Sequence, residues 1–461
     1  MIPAPVIDEI AGIVGAPYLS IREEDLLRYG SDATKLSFRP DAVVLPGSAE
    51  EISRILVLAN RRLFPVIPRG AGSGKSGGAL PVKGGVVLST ERLNSILSID
   101  PHNSIAKAEP GVITSRFQEE VEKLGLFYPP DPASIKVSTL GGNVAHCAGG
   151  LRAVKYGVTR DYVLGLTIVL PTGEILKTGV DTAKGVVGYD LTRLVIGSEG
   201  TLAVITSITV RLIPKPAATR TMAAFFAETS STVRAVSEIL RNRIVPTALE
   251  FMDRLCIQSV QEEMGFPVPP EAGAMLLIEV DGDEDLTRKE ADRIREICRQ
   301  AGCLHFQAAS GREEAERLWE ARRNVSPSVY KLRPDKASED VVVPRTRMPG
   351  LVSFLAELGK RYDLLFAAYG HAGDGNIHVN ILYDKANPAQ VAAVDPAVRG
   401  LFRKVLDLGG TLSGEHGVGV TKAPYVGMEI PPPAMDLMTR IKRAFDPNGI
   451  LNPGKIFPPG V

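Results

Sequence analysis

A ten-residue segment containing five glycines, residues 69–78, directly follows a short apolar segment, residues 64–68. The apolar segment is predicted to be a strand, so the glycines form the loop at its end. Backbone N–H groups in such a loop can surround an anionic oxygen, and a pyrophosphate is the favoured ligand. The alternative is a flexible surface linker, but the apolar residues on both sides argue against it.

The spacing within this loop excludes two common phosphate-binding motifs. Gly70 precedes Gly74 by only four positions, one too few for the P-loop that Lys75 and Ser76 would otherwise suggest. No segment with helical apolar periodicity follows, so a dinucleotide-binding strand–helix crossover is not supported.

The residues around the loop have the pattern of an α/β domain, and short amphipathic helices are predicted before Tyr29. Ser48 and Glu51 form a capping box at the start of a predicted helix. A break at residues 214–216 predicts a domain boundary. The elements predicted between these points are strands at 42–45, 64–68, 163–170 and 202–213, a helix at 48–62, and loop-rich zones at 129–134 and 138–145.

Beyond about Ala217, strands and helices alternate in an order typical of a ferredoxin-like antiparallel sheet with helices on one face. The predicted order is strand 222–227, helix 231–243, strand 247–252, strand 275–280 and helix 285–301. Further helices are predicted at 318–326 and 435–444.

Half of the six histidines lie in two glycine-rich segments, residues 369–380 and 413–419. The candidate ligands there are His371, His378, Glu415 and His416. Neutral imidazoles and a carboxylate on such turns suit a divalent ion of the zinc, manganese or iron type. Apolar and polar residues alternate from position 377, which predicts that His378 and Asn380 share one face of a strand. The alternative, a set of surface or hydrogen-bonded core histidines, is disfavoured by the clustering.

Length and composition limit the possible classes of protein. A chain of 461 residues predicts two or three lobes, and equal numbers of basic and acidic residues, 53 each, argue against a nucleic-acid partner. The four scattered cysteines have no iron–sulfur or zinc-ribbon spacing, so a reduced state is the default. Without a signal-peptide pattern or a long apolar run, we expect a cytoplasmic protein lacking transmembrane segments. Peripheral membrane attachment stays open.

Five motifs in order make the chain resemble a known family over residues 41–455. They are residues 68–74, 140–143, 197–201, 371–378 and 414–417. The chain resembles the FAD-linked oxidases of the vanillyl-alcohol oxidase type. Within them it resembles the branch of D-lactate dehydrogenases, D-2-hydroxyglutarate dehydrogenases and the FAD subunit of glycolate oxidase. The resemblance implies a mixed α/β (α+β) fold, with a two-part FAD-binding lobe and a ferredoxin-like cap domain.

The resemblance also implies a domain order and a set of FAD contacts. The domains are an N-terminal helical segment (1–40), an FAD-binding domain (41–216), a substrate or cap domain carrying a metal site (217–425), and a C-terminal segment (426–461) that returns to the FAD domain. The implied contacts are Pro68, Arg69, Gly70, Ala71, Gly72, Ser73, Gly74, Ser134, Thr139, Gly141, Gly142, Asn143, Glu199, Gly200, Ile205 and Asn452.

Two positions bear on how the flavin is held. Family members with covalently bound flavin often carry a histidine in the glycine loop. Ser73 occupies that place here, so a non-covalent FAD is expected. His146 and Cys147 replace an expected pair of small polar residues, which leaves His146 either near the flavin or as a buried hydrogen-bonded residue.

The reaction that the resemblance implies is FAD-dependent oxidation of a small D-2-hydroxy acid, such as lactate, glycolate or 2-hydroxyglutarate, to the 2-oxo acid. His371, His378 and Glu415 would bind the divalent metal, and His416 would be the general base, since histidine's ordinary pKa of about 6.5 suits that task. The substrate carboxylate would be bound by Arg322, Ser326 and Lys336, with Asn376 and Asn380 as further hydrogen-bonding groups. Arginine suits a carboxylate because its planar fork binds both oxygens. The alternative is that Arg322 is a solvated helix residue beside Arg323.

Several other functions stay open at this point. One is a metal-dependent hydrolase, which would need no FAD loop. Others are a non-catalytic subunit of a flavoprotein complex and a flavin-dependent oxidase of an alcohol, lactone or ether lipid. The chain has no cysteine cluster for an iron–sulfur relay of its own. We therefore expect an electron-transferring flavoprotein, an iron–sulfur subunit, a quinone or oxygen as acceptor, and an oligomer.

Overall fold

The structure is a computed structural model that describes residues 2–265 and 268–460. Its α-helices are α1 (Ala4–Val14), α2 (Glu23–Tyr29), α3 (Ala49–Arg62), α4 (Thr114–Glu122), α5 (Leu140–His146), α6 (Ala153–Tyr156), α7 (Leu191–Val195), α8 (Thr229–Arg241), α9 (Arg254–Val260), α10 (Glu284–Gln300), α11 (Arg312–Ser328), α12 (Met348–Tyr362), α13 (Pro388–Asp407) and α14 (Pro432–Phe445). Its strands are β1 (Leu19–Ser20), β2 (Ala42–Val44), β3 (Val66–Arg69), β4 (Val86–Ser89), β5 (Ile96–Asp100), β6 (Ile105–Ala108), β7 (Leu126–Phe127), β8 (Val163–Val169), β9 (Ile175–Gly179), β10 (Val204–Arg211), β11 (Ile213–Pro214), β12 (Ala218–Phe226), β13 (Ala248–Asp253), β14 (Ala274–Gly282), β15 (Cys303–Ala308), β16 (Asp335–Val342), β17 (Leu365–His371) and β18 (Asn376–Tyr383).

The chain divides into two compact units. Unit 1 contains residues 1–149, 158–215 and 415–461, and unit 2 contains residues 150–157 and 216–414. The sequence predicts the corresponding boundaries at 216 and 425, and it does not predict that residues 150–157 group with unit 2. The mixed α and β architecture expected from the sequence is confirmed.

The first sheet of unit 1 places the glycine loop. Its strand order is β1-β2-β4-β3, with β2 and β3 both parallel to β4. Helix α3 begins as the sequence predicts, because the Ser48 Oγ accepts from the Glu51 N–H at 3.2 Å. The Glu51 carboxylate reaches back to the Gly47 N–H at 2.7 Å, one residue before the cap. Helix α3 and the parallel strands share a buried apolar core.

The second sheet of unit 1 has the order β5-β6-β10-β8-β9 and is antiparallel throughout. Helix α5 lies largely in the zone 138–145 that the sequence predicts as loop-rich, and that prediction is wrong for residues 140–145. Thr139 is its N-cap, with its Oγ1 accepting from the Gly142 N–H at 3.2 Å. The two adjacent glycines favour a loop by propensity, but the cap and the burial of Leu140 and Val144 outweigh that preference.

Unit 2 is built on one seven-stranded sheet of order β15-β12-β14-β13-β17-β18-β16. Its first four strands have the ferredoxin-like order that the sequence predicts, with antiparallel neighbours. Strands β17, β18 and β16 extend this sheet beyond β13, and they carry His371, His378 and Asp340. Across residues 2–265 and 268–460, no helix has the length and apolar character needed to cross a membrane.

Candidate functional site

A cleft in unit 1 brings together the residues that the sequence predicts as cofactor contacts. The predicted residues that line it are Pro68, Arg69, Gly70, Ala71, Gly72, Ser73, Gly74, Ser134, Thr139, Gly141, Gly142, Asn143, Glu199, Gly200 and Ile205. The lining also includes His146, Glu415 and His416. Segments widely separated in the sequence therefore form one continuous surface, which we call the cleft.

The glycine loop forms one wall of the cleft and is closely packed. Residues 76–78 are buried, so the alternative of a flexible surface linker is wrong. A Cβ atom at Gly70 would lie 2.3 Å from Thr139 Oγ1, the atom that caps α5. Only glycine leaves room for this approach, and the backbone at Gly70 is thereby open to the cleft.

Arg69 is the charged side chain at the start of the loop, and it is only 8% exposed. Its guanidinium carbon lies 5.7 Å from the centre of the Tyr29 ring, and burial lowers the pKa of the group. Its Nη1 atom makes no hydrogen bond within the described part of the chain. A buried cationic donor of this kind can bind an anionic ligand in the cleft.

Glu199 holds a neighbouring turn in place. Its two carboxylate oxygens accept from the N–H groups of Val418 and Gly419, each at 2.7 Å. These residues follow Glu415 and His416, so Glu199 fixes the turn that carries both. Its carboxylate acts on backbone amides, although the residue lines the cleft as the sequence predicts.

Asn452 does not line the cleft but joins two of its walls. Its side-chain amide donates to the carbonyl oxygens of Gly78, at 2.9 Å, and Glu199, at 2.7 Å. The residue has a φ of +43°, a conformation that asparagine tolerates better than most residues. Its role in the structure is therefore to hold the glycine loop against the segment that contains Glu199.

His146 lies in the cleft lining, close to the backbone of the 415–419 turn. A Cβ atom at Gly417 would lie 2.9 Å from the His146 Nδ1 atom. That nitrogen is buried and has no hydrogen-bond partner among the residues described. Of the two interpretations of His146, the structure favours a position next to the ligand space over a hydrogen-bonded core residue.

In unit 2, His371 and His378 face each other across a hairpin of β17 and β18. Their ring centroids are 5.2 Å apart and nearly perpendicular, and each offers a nitrogen within 4.8 Å of the other's. Gly375 closes the hairpin at a φ of +85°, with the Val343 carbonyl oxygen 2.0 Å from where a Cβ would stand. Another residue there would be strained and would clash, so the sharp turn between the histidines requires glycine.

Glu250 on β13 is paired with His371 in the sheet register and is fully buried. Its Oε1 lies 2.6 Å from the His371 Nδ1, and its Oε2 accepts from the Arg322 Nε and Nη2 at 2.9 and 2.5 Å. Burial alone would raise the pKa of Glu250, but its contacts with His371 and Arg322 outweigh burial and lower that pKa. By its contacts, Glu250 is the hydrogen-bond acceptor at the centre of this group.

Asp340 on β16 stands opposite His378 in the sheet, but the contact between them lacks hydrogen-bond geometry. The two residues are register partners, and Asp340 Oδ1 lies 3.4 Å from the His378 Nδ1. Asp340 is fully buried and accepts from the Asn376 side chain at 2.7 Å and from the Gly414 N–H at 2.9 Å. We call His371, His378, Glu250 and Asp340 the histidine cluster.

The predicted substrate-binding residues of unit 2 are found in two groups. Arg322 is 6% exposed, so the alternative of a solvated helix residue is wrong, and its guanidinium lies over the Tyr369 ring at 4.6 Å. Lys336 donates to the Ser326 carbonyl oxygen and Oγ at 2.6 and 2.8 Å. Arg322 belongs to the histidine cluster through Glu250, whereas Ser326 and Lys336 bind each other.

The remaining predicted residues lie on β18 or in unit 1. Asn376 binds Asp340, and Asn380 accepts from the Ser338 hydroxyl at 3.0 Å. His378 and Asn380 occupy alternate positions of the strand, as the sequence predicts. Glu415 and His416 belong to unit 1, and the Gly414–Glu415 peptide is the point where the chain passes from one unit to the other.

Sequence reasoning missed Glu250 and Asp340. A signal for Glu250 was present, because a single glutamate within the apolar segment Ala248–Met252 predicts a buried carboxylate that needs a partner. The same holds for Asp340 before three consecutive valines. Neither signal identifies the partner, which only the sheet register supplies.

Comparisons with known proteins identify the family to which the chain belongs. Residues 215–456 match the family "FAD linked oxidases, C-terminal domain", and residues 40–179 match "FAD binding domain". The chain is 42% identical to the glycolate oxidase subunit GlcD of Bacillus subtilis over 458 residues, which cover 99% of this chain and 97% of that protein. It is 37% identical to a D-lactate dehydrogenase of Anaerostipes hadrus over 91% of this chain and 90% of that one.

A solved structure supports the fold. Substrate-bound p-cresol methylhydroxylase superposes with a TM-score of 0.80 at 18% identity, covering 98% of this chain and 96% of that one. At that level of identity the likeness concerns the fold alone. It confirms the expected vanillyl-alcohol oxidase type of architecture.

Proposed function

Because this chain belongs to the family of FAD-linked oxidases and is an FAD-linked oxidoreductase, we propose that its substrate is a small 2-hydroxy acid, which it oxidises to the 2-oxo acid. The observation that carries the proposal is the histidine cluster of unit 2, with Arg322 bound to it. Oxidation of a hydroxy acid needs both a group that binds the hydroxyl and a cation for the carboxylate. Lactate, glycolate and 2-hydroxyglutarate are the candidates, in the D form where the acid is chiral. The names of the relatives, glycolate oxidase subunit and D-lactate dehydrogenase, support this class.

We propose that the cleft of unit 1 binds FAD without a covalent bond. The glycine loop would surround the pyrophosphate with backbone N–H groups, and the Nη1 atom of Arg69 would add a charge-assisted donor. Gly70 leaves space there that a side chain would fill. Ser73 occupies the loop position where relatives with covalently bound flavin often have a histidine. This supports reversible binding of FAD.

The proposed metal ligands are His371, His378 and Glu415. Two imidazole nitrogens within 4.8 Å of one another form a donor set that zinc, manganese or iron accepts. Glu415 directly follows Gly414, whose N–H donates to Asp340 Oδ2. Adjacent Cα atoms are about 3.8 Å apart, so the covalent chain keeps Glu415 close to that hydrogen bond and supports it as the third ligand.

His416 is the proposed general base, and Arg322 the proposed carboxylate-binding residue. A bound divalent ion would lower the pKa of the substrate hydroxyl, and FAD would accept two electrons with the α-hydrogen. His416 takes the hydroxyl proton, while Arg322 fixes the carboxylate so that the α-carbon keeps one orientation. The Arg322 Nε and Nη2 already bind Glu250, so Nη1 would meet the substrate. Ser326, Lys336, Asn376 and Asn380 are proposed to complete the hydrogen-bonding surface for the acid.

We propose further that electrons leave through another molecule. The relatives' names include the word subunit, which supports an assembly with a second protein such as an electron-transferring flavoprotein or an iron–sulfur subunit. A quinone is the proposed acceptor if the electrons pass to a small molecule instead of a protein. An oligomer located in the cytoplasm or at a membrane surface fits either acceptor.

The test is an anaerobic visible spectrum of the purified, metal-loaded protein. D-lactate, L-lactate, glycolate and D-2-hydroxyglutarate are added in turn, with a chelator-treated sample as the control. We expect one acid to bleach the flavin band in the metal-loaded sample and to do so far more slowly after chelation. If the protein is yellow but no acid bleaches it, the substrate class is wrong, and alcohols or lactones become the candidates. A colourless protein that FAD does not reconstitute would contradict the proposal as a whole.

A further inference from the structure

We propose that Glu250 and Asp340 are positioning residues that fix the tautomers of His371 and His378, so that both histidines present Nε2 to one divalent ion. The proposal rests on the proposed function for the metal site. Glu250 and Asp340 lie outside the predicted ligand set. Arg322 gains a second role, because it is the charge partner of Glu250.

Glu250 makes a direct contact with the His371 ring. Glu250 Oε1 lies 2.6 Å from the His371 Nδ1, and both residues are buried. A carboxylate can only accept hydrogen bonds, so the proton of the neutral imidazole sits on Nδ1 and the lone pair on Nε2. The Arg322 guanidinium donates two hydrogen bonds to the other carboxylate oxygen and so fixes the orientation of Glu250 toward His371.

Asp340 lies beside the His378 ring. Asp340 Oδ1 lies 3.4 Å from the His378 Nδ1, and Asp340 is held in place by Asn376 and by the Gly414 N–H. The contact between Asp340 and His378 lacks hydrogen-bond geometry, so it acts through charge alone: the nearby carboxylate favours a proton on Nδ1, which puts the lone pair of His378 on Nε2. The pair is looser than Glu250 and His371, so its contribution to metal affinity should be the smaller one.

The sheet itself produces this symmetry. The strand order β13-β17-β18-β16 puts the histidines on the two inner strands and the carboxylates on the two outer ones. Register pairs Glu250 with His371, and Asp340 with His378, so each carboxylate stands directly across from its imidazole. Rigid strands hold a ligand more accurately than loops do, which favours a site formed before the metal arrives.

The test measures metal affinity in single variants of the full-length protein. Glu250→Gln and Asp340→Asn keep the shape of each side chain but remove its charge, and Glu279→Gln is the matched control. Glu279 is another partly buried carboxylate of the same sheet, bound to Trp319 and Thr221 at 2.8 and 3.0 Å. Affinities for zinc and manganese are measured by competition with a chromophoric chelator, and bound FAD is measured in the same samples.

We expect about 10- to 100-fold weaker metal binding in Glu250→Gln, a smaller loss in Asp340→Asn, and no change in Glu279→Gln. FAD content should be unchanged in all three. Glu250→Gln leaves the buried charge of Arg322 without its partner, so if this variant does not fold, Asp340→Asn decides the question. The rise in Tm on adding metal provides a second readout that altered folding alone would not reduce.

His371→Ala separates this proposal from the function on which it rests. If His371→Ala binds metal as tightly as the wild type, the proposed metal site is wrong. If His371→Ala loses the metal while the two carboxylate variants retain wild-type affinity, the metal site stands and the positioning role is overturned. An equal loss in Glu279→Gln would also overturn it, because the effect would then not depend on contact with a histidine.

Discussion

The cleft of unit 1 and the histidine cluster of unit 2 are built from different parts of the chain. The cleft is formed mainly by backbone and small side chains. Gly70 packs closely against Thr139, the N-cap of α5, and Glu199 accepts hydrogen bonds from backbone N–H groups. The histidine cluster consists of buried carboxylates and histidines that contact each other, with the Arg322 guanidinium bound to one carboxylate. A site of the first kind is sensitive to added volume, and a site of the second kind to lost charge. Variants that add volume in unit 1 or remove charge in unit 2 test that difference.

The largest effect is expected from removing a charge in unit 2. Arg322→Gln leaves Glu250 buried without its cationic partner, and breaking a buried pair in this way costs about 3–5 kcal/mol. The matched control is Arg323→Gln, because the adjacent Arg323 is exposed and paired with an exposed glutamate, a pair worth no more than about 1 kcal/mol. Denaturant unfolding of both variants measures the difference. Equal losses of unfolding free energy in the two variants would show that the contact with His371 is enough to stabilise the buried Glu250 carboxylate.

The next effect concerns rate rather than stability. His416→Ala should lower the rate of flavin reduction by about 10²- to 10⁴-fold, the usual contribution of a general base, with FAD and metal still bound. His102→Ala is the control, since His102 is an exposed histidine of the same unit. The rate of flavin reduction in both variants is measured by anaerobic stopped-flow mixing with the most active acid. Full turnover in His416→Ala would remove His416 from the role of base.

A smaller effect is expected from added volume in unit 1. Gly70→Ala puts a Cβ 2.3 Å from Thr139 Oγ1, and overpacking of this kind costs about 1–3 kcal/mol. The loop must shift, so we expect FAD affinity to fall by about tenfold or more. Gly12→Ala is the control, because nothing lies within 4 Å of the added atom. The ratio of bound flavin to protein after gel filtration gives the result, and equal ratios would contradict a close-packed loop.

The same comparison explains how much the sequence could predict. Glycine spacing and apolar periodicity are local properties, so the loop at Gly70, the cap at Ser48 and the alternation at His378 could be predicted from them. Helix α5 could not, because its two glycines oppose a helix that burial stabilises. Glu250 and His371 are 121 residues apart, and their contact depends on strand register, which no local pattern specifies.

The smallest effect, a change of stability with pH, tests whether unit 1 also contains a costly buried charge. Lys455 is 2% exposed and donates to the Leu80 carbonyl oxygen at 2.6 Å, and burial lowers its pKa to about 8, against about 10.4 in an unfolded chain. Between these values the unfolded state binds more protons than the folded state. The free energy of unfolding should therefore rise with pH in this window, by at most about 1.4 kcal/mol per pH unit. Lys455→Met should remove this rise, and urea unfolding of both proteins across the window measures it. If the free energy of unfolding still rises with pH in Lys455→Met, a group other than Lys455 takes up the proton on unfolding. Loss of the slope would show that Lys455, a residue of unit 1 outside the cleft lining, is a buried charge that opposes folding.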